Sequence, residues 1–173
     1  MKYARTERER RFLLRGLPAG LPAAYRRIRD WYLDGTRLRL RRVEDPDGGV
    51  LERKFGQKYS EALGAGLSTT LTNLYLTEAE YEVLRTLGGR PIVKRRYSYL
   101  HRRRGYSVNV FEQELEGLVL AEIEFDSDQA AASLSTPEFA IADVTDELFF
   151  TGGVLASATA EQLAQGLARW GAA

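Results

Sequence analysis

The chain has no cysteine and one histidine, His101. The first absence excludes disulfides, thiol nucleophiles and cysteine-ligated metals. The second leaves no histidine cluster for a metal and argues against a serine–histidine triad. An excess of one charge is missing too. A formal net charge of +1 gives no bulk electrostatic case for nucleic acid or an anionic membrane. No apolar run approaches the length of a membrane span, and residues 1–20 hold no secretory-type apolar segment. A cytoplasmic protein is expected, without nucleic-acid or membrane partners.

What is present suits one domain spanning residues 1–173, with hydrophobic content (44%) and charged content (28%) in the globular range. The cations are clustered: Arg37 to Arg42, Arg53 to Lys58, Lys94 to Arg96 and Arg102 to Arg104. Their distribution therefore carries more information than their total.

Four segments have helical spacing. "LPAAYRRIRDWYL" places Leu21, Tyr25, Ile28 and Tyr32 on one face. "TEAEYEVLRTLGG" opens with a capping box, Thr77 to Glu80, and ends in glycine. "SDQAAASL" (127–134) predicts a short helix. "TAEQLAQGLARW" opens with a second box, Thr159 to Gln162, and carries Leu163, Leu167 and Trp170 as a stripe. "DPDGG" (45–49) and "GAGLS" (64–68) predict turns.

The rest alternates with a period of two, as strands do. Glu7, Glu9 and Arg11 share a face in "RTERERRFLL", with Arg8 and Arg10 on the other. Arg37, Arg39 and Arg41 oppose Leu38 and Leu40. Lys54, Gly56 and Lys58 fall together, as do Ile92, Lys94, Arg96 and Ser98. In "LVLAEIEFD", Leu118, Leu120, Glu122, Glu124 and Asp126 oppose Val119, Ala121, Ile123 and Phe125. For any one strand, a solvated sheet face explains this equally well. Across five strands the polar faces are nearly all charge, and the charges segregate: acids on the first and late strands, bases on the three between. A closed barrel around a charged lumen explains both features. Its apolar faces would point outward and be covered by the four helices.

Two E-x-E pairs, Glu7 with Glu9 and Glu122 with Glu124, would each converge on one volume. Hard divalent cations prefer carboxylate oxygens and keep open positions for substrate phosphates. Alone, such a pair is a weak signal. The basic residues Arg39, Arg41, Lys54, Lys58, Lys94 and Arg96 would line the same cavity, and such a cation surplus suits a linear polyphosphate. Phosphoryl transfer is largely positioning plus charge stabilisation. A lysine hemmed in by other cations can act as a base, and Lys94 is the candidate.

In this order the residues resemble the CYTH domains, also called triphosphate tunnel metalloenzymes. "ERERRFLL" is similar to the N-terminal E-x-E-x-K strand, "YLDGTRLRLRR" to the R-x-R strand, "LERKFGQKY" to the lysine strand, "IVKRRY" to the K-x-R strand and "ELEGLVLAEIEF" to the late E-x-E strand. "DVTDELFFTGGVLA" resembles the closing segment. The likeness runs from Arg5 to Ala156. It implies an α+β fold, an antiparallel closed β-barrel (tunnel) of about eight strands with flanking helices. It also implies Mg²⁺- or Mn²⁺-dependent attack on a triphosphate-containing small molecule. By position, Glu7, Glu9, Glu122 and Glu124 would be the metal-side acids, with Glu7, Glu9 and Lys94 as the catalytic set. Arg11, Arg39, Arg41, Lys54, Lys58, Lys94 and Arg96 would bind phosphate. Water is the implied nucleophile, and assembly as a homodimer stays open.

The chain departs from the family pattern at Arg11, where lysine is usual, at Asn109, where an aspartate is common, and at Asp143, where glutamate is frequent. The leading expectation is hydrolysis of inorganic triphosphate or another triphosphate-bearing compound. A class IV-type adenylate cyclase or thiamine triphosphatase is the alternative within the family. A non-catalytic polyphosphate-binding module is the alternative outside it. His101 and "HRRRG" (101–105) are expected to be surface features. Tyr97, Tyr99, Phe111 and Phe125 are expected to be packing, Trp31 and Trp170 helix anchors, and Gly117 a turn residue.

Overall fold

The computed structural model describes residues 4–59 and 67–172. Eight strands form the body: β1 (Arg5–Leu14), β2 (Arg26–Leu33), β3 (Leu38–Glu44), β4 (Val50–Tyr59), β5 (Ser68–Tyr75), β6 (Gly89–His101), β7 (Arg104–Phe111) and β8 (Val119–Glu124). A two-residue strand, β9 (Ala142–Asp143), adds beside β1. Helices α1 (Glu78–Arg85), α2 (Asp128–Ala132), α3 (Gly152–Leu155) and α4 (Ala160–Ala168) flank them.

Neighbours run β5-β4-β3-β2-β6-β7-β8-β1, and β1 pairs back onto β5 through Arg5↔Leu71 to Arg8↔Ser68. The result is a closed, eight-stranded antiparallel barrel in which each of the eight body strands is paired on both sides. The turn at 45–49 is as expected: the Asp45 carboxylate accepts from the amides of Asp47 and Gly49, and Gly48 takes φ +91°. Part of the expected turn at 64–68 lies outside the described residues.

Three of the four expected helices form, two of them with complete capping boxes at Thr77 and Thr159. The fourth does not. Residues 26–33 are strand β2, bonded to β3 on one side and β6 on the other. The four-residue spacing of Ile28 and Tyr32 is also compatible with alternation, and Ile, Trp and Tyr fit a pleated surface better than a helix. Pairing on both sides decided between them, and that information is non-local.

Two apolar clusters hold the barrel. The outward faces of β1, β6, β7 and β8 supply Phe12, Leu14, Tyr97, Tyr99, Tyr106, Val108, Val119, Ala121 and Ile123. Loop residues cover this cluster, among them Leu21, Tyr25, Leu134 and Phe139, more than helices do. The second cluster fills one end of the barrel. There the inward-facing Leu13, Ile92, Phe111, Leu118 and Leu120 pack with Phe150, Leu155, Leu163 and Leu167 from the C-terminal segments. The lumen is therefore not charged throughout. Along β1 the inward residues run Glu7, Glu9, Arg11, Leu13, and along β8 they run Leu120, Glu122, Glu124, with Leu118 just before the strand. The two strands are antiparallel, so the apolar ends meet at one mouth and the charged ends at the other.

The smaller expectations also resolve. The Trp31 indole donates to the Leu87 carbonyl (3.0 Å) and stacks under the Arg85 guanidinium, anchoring the end of α1. Trp170 packs against the end cluster. Gly117 takes φ +95° in the β7–β8 connection. His101 and Tyr99 pack edge-on against Phe139, while Arg102 and Arg103 form the β6–β7 turn at positive φ. This corner is structural. Among the described residues, no helix is long and apolar enough to cross a membrane.

Candidate active site

A cavity of about 850 Å³ occupies the charged part of the barrel. All eleven residues singled out from the sequence line it: Glu7, Glu9, Arg11, Arg39, Arg41, Lys54, Lys58, Lys94, Arg96, Glu122 and Glu124. Strand alternation puts them there, because each contributing strand alternates its faces and the barrel has one inside. The C-terminal segment lines the same cavity through Leu148, Phe150, Thr151, Gly152, Gly153 and Leu155.

The acidic wall is made by β1 and β8, whose register sets Glu9 opposite Glu124 and Arg11 opposite Glu122. Each carboxylate is turned to a cation. Glu7 meets Arg5 at 3.0 Å and Lys58 at 3.2 Å. Glu9 meets Arg11 at 3.0 Å, Glu122 meets Arg96 at 2.7 Å, and Glu124 meets Arg5 at 3.3 Å. Burial alone would raise the Glu122 pKa. Lys94, Arg96, Arg11 and Lys58 outweigh it and hold the carboxyl well below its ordinary range. Burial likewise opposes ionisation of Glu7, and Lys58 and Arg5 overcome it.

These donors are all carboxylate oxygens, which suits a hard divalent cation in chemistry and in strand register. Among the described residues, however, no group of three or more His, Asp or Glu side chains is arranged to hold an ion. Each acid is paired with a cation instead. An ion entering this wall would have to exchange with Arg5, Arg11, Lys58 or Arg96.

The basic wall comes from β3, β4 and β6. Lys94 is its deepest member, 6% exposed, with its ammonium 5.2 Å from the Phe111 ring centroid. Burial is the main cause lowering its pKa, to about 7. Arg96 and Arg41 push the same way, against Glu122 and Asp30. Lys54 pairs with Glu52 at 2.6 Å.

The structure also places Arg11, Asn109 and Asp143, the three positions where the chain differs from the pattern it resembles. Arg11 bridges Glu9 and, at 3.8 Å, Glu122, so a fixed charge ties the two acidic strands together. Asn109 is fully buried and its side-chain oxygen accepts from Arg96 Nε at 2.8 Å, placing a neutral acceptor where a carboxylate would add charge. Asp143 does not line the cavity. It lies outside the barrel, accepting from Arg10 and from the Thr145 amide (2.9 Å), while Thr145 Oγ1 accepts from the Arg11 amide (3.1 Å). Arg8 and Arg10 do face away from the lumen, but Arg10 is not free there. It holds Asp143 and the carbonyls of Ala131 and Leu134.

Arg5 and Asp30, charged residues that line the cavity, were not among the candidates read from the sequence. Asp30 is 4% exposed and lines the cavity from β2, the segment expected to be a helix. Period-two alternation of Ile28, Asp30 and Tyr32 was the sign that would have found it. Tyr32 lines the cavity beside Gly152, where a methyl group would overlap the Tyr32 hydroxyl. Gly152→Ala is therefore expected to push Tyr32 into the lumen and to cost about 1–3 kcal/mol, measured by thermal melting. An unchanged melting temperature would contradict this close contact.

No family model matches the chain, and no curated protein does. Solved structures do. Two structures of NE1496, one described as a hypothetical protein and the other as an inorganic triphosphatase, align with a TM-score of 0.60 and 24% identity. The alignments cover 88% of this chain and 99% and 95% of theirs. What is shared is the fold. A looser likeness, to the PH1012 protein from Pyrococcus horikoshii OT3, has a TM-score of 0.48 and 13% identity over 95% of this chain and 90% of that one.

Proposed function

We propose that this chain is a divalent-metal-dependent triphosphatase of the CYTH, or triphosphate tunnel metalloenzyme, type. The observation that carries the reading is the segregated lumen. One cavity collects the four glutamates of β1 and β8 on one wall and the basic residues of β3, β4 and β6 on the other. A simple anion receptor gains nothing from four carboxylates in its pocket. The barrel shared with a protein described as an inorganic triphosphatase agrees with this reading.

In this mechanism Arg39, Arg41, Lys54, Lys58 and Arg96 take the phosphate oxygens, with Arg11 beside them. Bidentate guanidinium contacts orient the chain, and the lysines act as point charges. Glu7, Glu9, Glu122 and Glu124 would hold Mg²⁺ or Mn²⁺, which when bound supplies further neutralisation of phosphate charge. Neutral Lys94 accepts a proton from the attacking water. The water oxygen bonds to the terminal phosphorus, and the bridging P–O bond breaks toward the remaining diphosphate. The fixed cations stabilise charge on the leaving oxygens without reorganising.

The test is a substrate panel of inorganic triphosphate, pyrophosphate, ATP and thiamine triphosphate, with Mg²⁺ and with Mn²⁺. Phosphate release from triphosphate is expected, stopped by chelator and reduced about 10- to 100-fold by Glu7→Gln or Glu9→Gln. Turnover that survives both chelator and substitution would sink the proposal. Cyclic AMP from ATP would indicate a cyclase instead. A second reading, a non-catalytic polyphosphate-binding module, draws on the ion-paired state of every acid. Tight triphosphate binding, indifferent to metal and without hydrolysis, would establish it.

A further inference from the structure

Five carboxylates line the cavity, and four of them belong to the β1–β8 wall. The fifth, Asp30, lies elsewhere. Its strand, β2, is separated from β8 by β6 and β7, and from β1 by β3, β4 and β5. It therefore stands apart from the acidic wall.

Its contacts are specific. Asp30 Oδ1 accepts from Arg41 Nε and Oδ2 from Arg41 Nη2, each at 2.7 Å, a bidentate pair. Arg39 Nε lies 3.6 Å from the same Oδ1 and makes no hydrogen bond. Strand register explains the triangle: Asp30 is directly opposite Arg41, and Arg39 is two residues along on the same face. Two guanidiniums so placed repel each other, and both are mostly buried. Burial would raise the Asp30 pKa, but Arg41 and Arg39 hold it far below the usual carboxylate range.

We infer that Asp30 is a positioning residue for the phosphate-binding wall, fixing Arg41 by one edge of its guanidinium and drawing Arg39 alongside. The Nε/Nη2 edge of Arg41 is occupied, so phosphate meets the remaining N–H groups from one direction. Arg39 has no such lock and is left to adapt. Asp30 itself touches neither substrate nor the reacting atoms. Its contribution is that one arginine is already oriented when the anion arrives, the kind of placement whose loss costs rate more than affinity.

This inference rests on the triphosphatase reading, and its test separates the two. Asp30→Asn, Asp30→Glu, Arg41→Lys and the Asp30→Asn/Arg41→Lys double variant are compared for kcat and KM with inorganic triphosphate and Mg²⁺. Binding stoichiometry of triphosphate by calorimetry reports the folded fraction. For Asp30→Asn, kcat is expected to fall about 10- to 100-fold while KM stays level or drops, because an anion has left the lumen. Asp30→Glu should recover part of kcat, and the double variant should be no worse than the poorer single one. Unchanged kcat, a raised KM, additive losses or sub-stoichiometric binding by Asp30→Asn would overturn the inference. Wild-type protein that binds triphosphate without turnover would overturn the triphosphatase reading alone. The same non-additivity would then be sought in the affinities. Wild-type protein that does not bind triphosphate overturns both.

Discussion

Lys94→Met is expected to reduce phosphate release about 1,000-fold while raising the melting temperature at neutral pH. The two effects have one cause. Lys94 is buried against Phe111, and its pKa falls from the ordinary 10.5 to about 7, chiefly because burial disfavours the ammonium. An amine in that state is a usable base near neutrality, and methionine fills similar space without a titratable group.

The sign of the stability effect follows from proton linkage. Between about pH 7 and 10.5 the unfolded chain holds a proton on Lys94 that the folded chain has released. Wild-type stability from this group therefore rises with pH across that window, and below it the full burial penalty applies. The stability advantage of Lys94→Met should be largest below pH 7 and shrink toward pH 10.5.

Activity should move in the same pH range. If the neutral amine is the working form, kcat/KM rises through about pH 7. The limb in kcat should lie higher, because bound triphosphate favours the ammonium. Lys94→Arg separates the roles, since a guanidinium keeps the charge but cannot deprotonate. An Arg variant as inactive as the Met variant supports a base. Near-wild-type turnover in the Arg variant, or a rate that falls through pH 7, would assign Lys94 to phosphate binding only.

Arg10→Ala should destabilise the fold by about 3 kcal/mol, measured by denaturant unfolding, without directly altering the lumen. Arg10 is the pin between β1 and the chain that crosses outside it. Its mostly buried guanidinium serves the Asp143 carboxylate and the carbonyls of Ala131 and Leu134. Removing it strands an acid and two acceptors under partial burial, where the desolvation cost is uncompensated. Arg8→Ala is the internal comparison. Arg8 also pairs with an acid, Asp128 at 2.6 Å, but that carboxylate is 70% exposed. An exposed pair of this kind is worth only about 0–1 kcal/mol. Equal losses for the two variants would mean that Arg10 acts only as a surface charge.

Much of the site was legible because barrel interiors are written with a period of two. Glu7, Glu9 and Arg11, Lys54 and Lys58, Lys94 and Arg96, and Glu122 and Glu124 all reach one cavity through alternation alone. The same strands also recorded which end of the barrel is apolar. Leu13, Ile92 and Leu120 stand at the ends where charge gives way to hydrocarbon, and they pack with the C-terminal segment. β2 was misjudged because its few apolar residues satisfy two periods at once. Asp30 was lost with it. The role of Arg10 in holding Asp143 was not legible, because alternation reports which face a residue is on, not what later covers that face.

By itself, then, the sequence determined the inward and outward sets of most strands, the segregation of acids from bases and the capped ends of α1 and α4. These depend on neighbours one to four residues away. The tertiary structure alone decided that residues 26–33 pair as a strand, that Asp30 grips Arg41 across the β2–β3 register, and that Asp143 pins Arg10 outside the barrel. The Asp30–Arg41 and Arg10–Asp143 pairs join residues 11 and 133 positions apart, and β2 pairs with residues 7 to 70 positions away. Only closure of the barrel brings such partners together, and no local pattern of side chains encodes that closure.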